Sequence, residues 1–222
     1  MSVAVATFGS GGSEPYASAL RGGELLYLRD TGARSTTRVT MDVARWNATA
    51  DEADLTLLRS VSGPVLDIGC GPGRMVRAAI DLGLVAVGID VSAAALEQAT
   101  ALGGSFVHGS VFDRVPAEGS WQTALLVDGN IGIGGDVVAL LSRCRQLLAP
   151  DGEIVVELDG DADHDDRYLG QVVDSRGGAS ASFPWAEIGL NPLVALLPQL
   201  RLALAQSWEL DGRSFARLAT TR

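Results

Sequence analysis

The chain has 222 residues, of which 47% are hydrophobic, and a formal net charge of −10 with a pI of about 4.6. This suits one domain with a sizeable core, and the charge disfavours a phosphate backbone as partner. Two cysteines exclude a disulfide framework or a cysteine zinc site, and no apolar run is long enough to span a bilayer.

Residues 1–13 are small and glycine-rich and read as mobile, without the basic start and apolar core of a signal peptide, so a cytoplasmic location is expected. A short helix is expected over 15–20, with Pro15 in its first turn. Segments 24–28 and 35–41 read as strands of a hairpin turning through Asp30-Thr31-Gly32. Thr49 and Glu52 have capping-box spacing for a helix to residue 59, with Ala53, Leu55, Leu57 and Leu58 as its apolar side.

From Pro64 the pattern repeats. A buried strand at 65–68 leads through a glycine loop to a helix over 74–82, stopped by Gly83. A strand at 84–89 is followed by a helix over 93–102 capped by Ser92, and strands are expected at 105–108 and 124–127. Asp136 caps a helix whose apolar positions Val137, Leu140, Leu141, Cys144, Leu147 and Leu148 keep the 3.6-residue period, with Arg143 and Arg145 on its solvated face. A strand at 153–158 follows. The alternation predicts a parallel sheet with helices on both faces. Residues 159–186 break the pattern with an acidic loop, Gly177-Gly178 and Phe183-Pro184-Trp185. A helix over 191–199 and strands at 202–208 and 214–219, turning at Asp211-Gly212, complete the chain. Residues 1–60 thus read as a helix–hairpin–helix elaboration on the lid and substrate side, and 61–222 as the core.

The most informative segment is Asp67-Ile68-Gly69-Cys70-Gly71-Pro72-Gly73-Arg74, between a buried strand and a helix start. Glycines here allow backbone dihedrals and close ligand approach that other residues forbid. The dinucleotide fingerprint fails, because position 74 is Arg where the third glycine should stand.

Asp67, Gly69, Gly71 and Gly73 instead form a D-x-G-x-G-x-G pattern that resembles the first motif of the class I S-adenosylmethionine-dependent methyltransferases. The resemblance covers about residues 64–158 well and the rest loosely. It implies an α/β fold: a doubly wound, Rossmann-like, seven-stranded, mostly parallel sheet with helices on both faces and the last strand antiparallel. It implies S-adenosyl-L-methionine as cofactor and S-adenosyl-L-homocysteine as product. The Asp67–Gly73 loop, Cys70 included, would hold the amino-acid part and sugar, and Asp90 at the end of the next strand the ribose hydroxyls. Val91 would lie beside the adenine, with Val111 and Phe112 as an apolar wall. Ser110 stands where the family commonly has an Asp for the adenine amino group. Asp128 would anchor the cofactor's amino group or a nearby loop.

The family's Asn/Asp-Pro-Pro-aromatic signature for amino acceptors is absent from Asp128-Gly129-Asn130-Ile131, which with the acidic surface tilts the expected reaction toward O-methylation of a small molecule. Two alternatives stand beside it: an aminopropyltransferase on the same fold, and a non-catalytic protein that senses the cofactor. His164 and Asp128 are the candidate general bases, with His108 nearer the adenine side. Trp46, Phe183 and Trp185 are candidate substrate contacts, and Tyr16 a candidate lid residue. The acidic run 159–166 fails as a calcium loop, having His164 and Gly170 where Gly and Glu are needed. A magnesium set of Asp128, Asp159 and Asp161 is weighed and set aside for a solvated loop, so no metal is expected.

Overall fold

The computed structural model describes residues 6–9, 14–32 and 39–221; the remainder of the glycine-rich 1–13 segment and of the 35–41 strand lie outside these. Helix α1 (Glu14–Gly22) is followed by strands β1 (Leu26–Asp30) and β2 (Val39–Met41), then α2 (Val43–Asn47) and α3 (Glu52–Arg59). The core continues with β3 (Val65–Ile68), α4 (Arg74–Asp81), β4 (Ala86–Asp90), α5 (Ala93–Ala101), β5 (Ser105–His108) and β6 (Trp121–Leu126). A 3-10 turn over Asn130–Gly135 leads into α6 (Val137–Leu147) and β7 (Leu148–Leu158). Then come β8 (Asp165–Asp174), β9 (Phe183–Ile188), α7 (Leu190–Leu200), β10 (Leu202–Leu210) and β11 (Arg213–Thr220).

Seven strands form the main sheet in the order β10-β11-β7-β6-β3-β4-β5. β3, β4, β5, β6 and β7 pair in parallel, while β11 is antiparallel to both β7 and β10. The order reverses between β3 and β6, which opens a crevice at their carboxyl ends. All four residues of β3 are buried. One core layer is built by α6, whose stripe Val137, Leu140, Leu141, Cys144 and Leu147 packs with Leu66, Ile68, Leu126 and Ile154. The opposite layer packs Leu57, Leu58, Met75, Val76 and Ala79 against Val65, Leu125, Val155 and Phe215. No described helix is long and apolar enough to cross a membrane.

Four features depart from the sequence reading. The 159–186 segment is not a loop throughout: β8 and β9 join β1 and β2 in a separate antiparallel sheet of order β2-β1-β8-β9. Val172, Phe183 and Trp185 of these strands pack in a cover layer, whereas Ala186 and Ile188 of β9 join the main core. α3 is capped by Asp51 in a reciprocal box with Asp54, not by Thr49 and Glu52, because the Asp51 carboxylate reaches the Asp54 amide at 2.8 Å. A short helix, α2, was not foreseen. Arg143 is not solvated: it donates to the carbonyls of Val111 and Asp113 and to Glu118, bracing the segment after β5.

Candidate active site

The crevice is shaped first by backbone. Gly69 and Gly73 have φ of 73° and 88°, in the left-handed region, and both are crowded. A Cβ on Gly73 would lie 2.9 Å from the Phe106 ring, and one on Gly69 2.8 Å from the Asn130 amide. The chain can therefore turn from β3 into α4 only with glycine at these points. Gly73 is the N-cap of α4, so amides at the start of that helix lie next to the crevice.

Asp90 closes the loop from the neighbouring strand. Its Oδ2 accepts the Gly71 amide at 2.8 Å and its Oδ1 the Ser92 amide at 2.7 Å. Each oxygen has room for a second donor. Burial raises the pKa of this carboxyl, and the bonds from Ser92 and Gly71 oppose the rise.

Asp67 is 1% exposed, and its Oδ1 is buried with no hydrogen-bond partner. Burial, with the charges of Asp128 and Asp90 adding to it, pushes the Asp67 carboxyl up to about 8. An orphaned acceptor is costly to bury, roughly 1–3 kcal/mol. Because Asp67 also lines the crevice, a ligand's donor would satisfy it.

One cleft is lined by Asp67, Gly69, Cys70, Gly71, Asp90, Val91, Ser110, Val111, Phe112 and Asp128. Gly73 lies just beneath as the α4 cap. The Ser110 hydroxyl accepts the Phe112 amide at 3.2 Å and so shapes its own turn. Cys70 packs close to Gly88, where a Cβ would come within 2.5 Å of its sulfur. Above this floor sits a roof of Phe8, Tyr16, Met41, Trp46 and Trp185. Phe183 does not line the cleft; it backs Trp185 edge-on, ring centroids 5.8 Å apart.

The base candidates fare differently. His164 lies outside the lining, and its Nε2 is 3.2 Å from Glu187, so the general-base reading is withdrawn for it. Asp128 does line the cleft, and its carboxylate is engaged by Arg74 with Arg45 and Arg213 nearby. His108 bonds the Val91 carbonyl from the edge strand. Asp136, the next acid after Asp128 beyond β6, is committed to capping α6, which leaves the aminopropyltransferase alternative without a second acid there.

Sequence reasoning missed the charge network under the cleft. Asp54, fully buried on α3, meets Arg74 at one oxygen and both Arg45 and Arg213 at the other, at 3.1 and 2.9 Å. Arg213 also forks onto Glu157 at 2.8 and 2.7 Å, and Glu157 receives the Asp128 amide at 2.6 Å. These contacts fasten α2 and α3 to the core beside the glycine loop. A signal existed: Asp54 stands in register with Leu57 and Leu58 on the buried side of its helix.

Residues 65–152 match a family model described as a methyltransferase domain. The fold is shared with a SAM-dependent methyltransferase from Bacteroides fragilis, crystallised with S-adenosyl-L-homocysteine, at TM-score 0.74 and 19% identity, covering 93% of each chain. It is also similar to the 1,6-didemethyltoxoflavin-N1-methyltransferase of Burkholderia thailandensis, at TM-score 0.57 and 17% identity over 77% of this chain and 78% of that one. An amino pentose methyltransferase from Micromonospora echinaspora, bound to S-adenosylmethionine, gives TM-score 0.57 and 16% identity over 80% and 94%. No curated protein is significantly similar in sequence. The chain has the fold of the class I S-adenosylmethionine-dependent methyltransferases, and its residues 65–152 carry the match to a methyltransferase domain.

Proposed function

We propose that the enzyme methylates a small molecule carrying a flat apolar portion, bound beneath Trp46 and Trp185, with residues 1–60 serving as lid and substrate side of a core at 61–222. The observation that carries this reading is where the aromatic side chains gather. Only 5% of the chain is aromatic, yet Phe8, Tyr16, Trp46, Phe183 and Trp185 form one cluster with centroid spacings of 5.0–6.4 Å. Aromatic faces and edges give area and orientation with little loss of rotamer freedom. Two of the similar structures also belong to enzymes named for small-molecule acceptors.

The cofactor supplies an activated methyl group on sulfur. The protein's own residues would then bind and orient. Asp90 would take the ribose hydroxyls, Val91, Val111 and Phe112 the adenine, and the Gly69–Gly71 backbone with Asp67 the amino-acid end, its ammonium meeting the orphaned Oδ1. Holding two reactants in line can contribute ~7–11 kcal/mol without any proton transfer. Tyr16 is the roof residue with a hydroxyl, whose pKa burial raises well above its ordinary value, and Phe8, Met41, Trp46, Ile133 and Trp185 offer carbon rather than a general base. An acceptor atom here would lose its proton to water, so a neutral nitrogen is served as well as an acidic hydroxyl, and the tilt toward oxygen drawn from the sequence gains no support from the roof.

The test is incubation with methyl-labelled S-adenosylmethionine and fractionated cell extract. Label is expected on a low-mass compound heavier by one methyl. Label confined to protein or RNA would overturn the small-molecule reading.

A further inference from the structure

We propose that Asp159, His164 and Glu187 form a site for a divalent transition-metal ion of the zinc type, stapling the four-stranded sheet to the end of β7. The inference is independent of the acceptor's identity. One donor atom from each residue lies within 4.8 Å of the others, and all three side chains are half-buried. His164 Nε2 and Glu187 Oε2 are 3.2 Å apart. Two metal–ligand bonds of ~2.0–2.1 Å at near-tetrahedral angles would place their donors about 3.3 Å apart, so this pair needs almost no movement to share an ion.

The three residues come from separate places that the backbone holds together. Asp159 follows β7, and its amide donates to the Ile188 carbonyl at the end of β9 at 3.0 Å. Its carboxylate is fixed by the Asp161 amide at 2.8 Å. The His164 carbonyl accepts the Gly189 amide at 2.7 Å, and the His164 amide donates to the Asp161 carbonyl at 3.1 Å. Gly189 has no room for a side chain, because a Cβ would fall 2.1 Å from the Asp161 carbonyl oxygen. The turn is thus pressed onto the end of β9, which fixes the spacing of Asp159 and His164 relative to Glu187. Tyr168 on β8 donates its hydroxyl to Glu187 Oε1 at 2.5 Å, a bond that orients a carboxylate ligand.

Charge and donor type select the ion. Residues 159–166 contain five aspartates and no cation, so the local field favours a dication. A set of oxygens alone would suit magnesium or calcium, whereas an imidazole with two carboxylates suits zinc. Three protein donors leave one position for water. This is not the magnesium set weighed from the sequence: Asp128 is held by Arg74, and Asp161 caps the Asp163 amide. The nearness of the His164 imidazole to the β9 carboxylate became visible only with the fold. Glu187 lies two residues beyond Trp185 on the same strand, so an ion here would tie the cleft roof to the main sheet.

The chain has two histidines, His108 and His164, which makes the test clean. Zn2+ is titrated into the full chain with the ring nitrogens followed by long-range 1H–15N NMR. The expected result is one equivalent bound at micromolar concentration, movement of the His164 resonances with those of His108 unmoved, and a rise in Tm. His164→Ala and Glu187→Gln should each lose at least about tenfold in Zn2+ affinity, while S-adenosylhomocysteine affinity stays at the wild-type value. No uptake at micromolar Zn2+, uptake that leaves His164 unmoved, or undiminished binding by either variant would overturn the site. The wild-type resonances decide the matter even where a variant fails to fold.

Discussion

Asn130 and Gly69 are locked together across the head of the sheet. The Asn130 side-chain amide donates to the carbonyls of Ile68 and Gly69 at 2.9 and 3.0 Å, and the same amide occupies the space a Gly69 side chain would need. The turn after β6 thereby holds the carbonyl groups of the glycine loop, and Asn130, Ile68 and Gly69 line the cleft together. Gly69→Ala would add a left-handed alanine, costing roughly 1–2 kcal/mol, and would also displace Asn130. Thermal melts and calorimetry with S-adenosylhomocysteine should show a lower Tm and affinity reduced at least about tenfold, which corresponds to ~1.4 kcal/mol. Wild-type values for both would show that the loop is not held from this side.

The network around Asp54 makes a stability prediction. Arg74 and Asp54 are almost fully buried, with side-chain exposures of 3% and 0%. Burial pulls the Arg74 guanidinium below its ordinary pKa, and the neighbouring Asp128 opposes this. Removing one member of a buried ionic set leaves its partners uncompensated, at a cost of ~3–5 kcal/mol. Asp54→Ala should therefore lower the urea unfolding free energy by about that amount, far more than Glu52→Ala, whose ion pair with Arg59 is exposed and worth ~0–1 kcal/mol. Equal effects of the two substitutions would contradict the assigned burial.

The core was legible because its signals are local. Asp67 stands one residue before the end of β3 and Asp90 ends the adjacent β4, the α6 stripe keeps a helical period, and Ser92 and Asp136 cap as their positions suggest. The cover was not, because its pairing is long-range: β1 finds β8 across more than a hundred residues, with Leu28 opposite Val172. No periodicity within β8 or β9 announces such a partner. The same gap concealed why the 129–135 run is glycine-rich, since the strand that crowds it, β9, lies in the segment to which the sequence assigns no strand. His164 failed as a base for a related reason, as its partner Glu187 lies on that unread strand.

Asp67 predicts a proton release. Its folded-state carboxyl is raised to about 8 from an ordinary 3.8, so the folded chain holds a proton that the unfolded chain gives up. The stability this contributes is complete below about pH 4 and is lost as pH rises through about 8. A ligand ammonium meeting Oδ1 would favour the ionised form and expel the proton. Calorimetry at pH 7 in buffers of differing ionisation enthalpy should show protons released when S-adenosylhomocysteine binds to the wild type. Asp67→Asn should remove that release and flatten the stability profile between pH 5 and pH 8. The same release from the variant would remove Asp67 from this role.

Two glycines of the turn after β6 separate strain from crowding. Gly129 has a left-handed φ of 83° with nothing within 4 Å of its Cβ position. Gly132 has no such φ, but a Cβ there would lie 2.3 Å from the Ala186 carbonyl oxygen and 2.6 Å from the Trp185 ring. Gly129→Ala should cost roughly 1–2 kcal/mol through the backbone alone and leave tryptophan emission unchanged. Gly132→Ala has to push β9 outward, at a cost typical of overpacking, ~1–3 kcal/mol. Since Trp185 rides on β9 and roofs the cleft, this variant should also show red-shifted emission and slower methyl transfer. Were Gly129→Ala to shift the emission as well, or Gly132→Ala to leave it fixed, the close seat of β9 on this turn would not be what positions the roof.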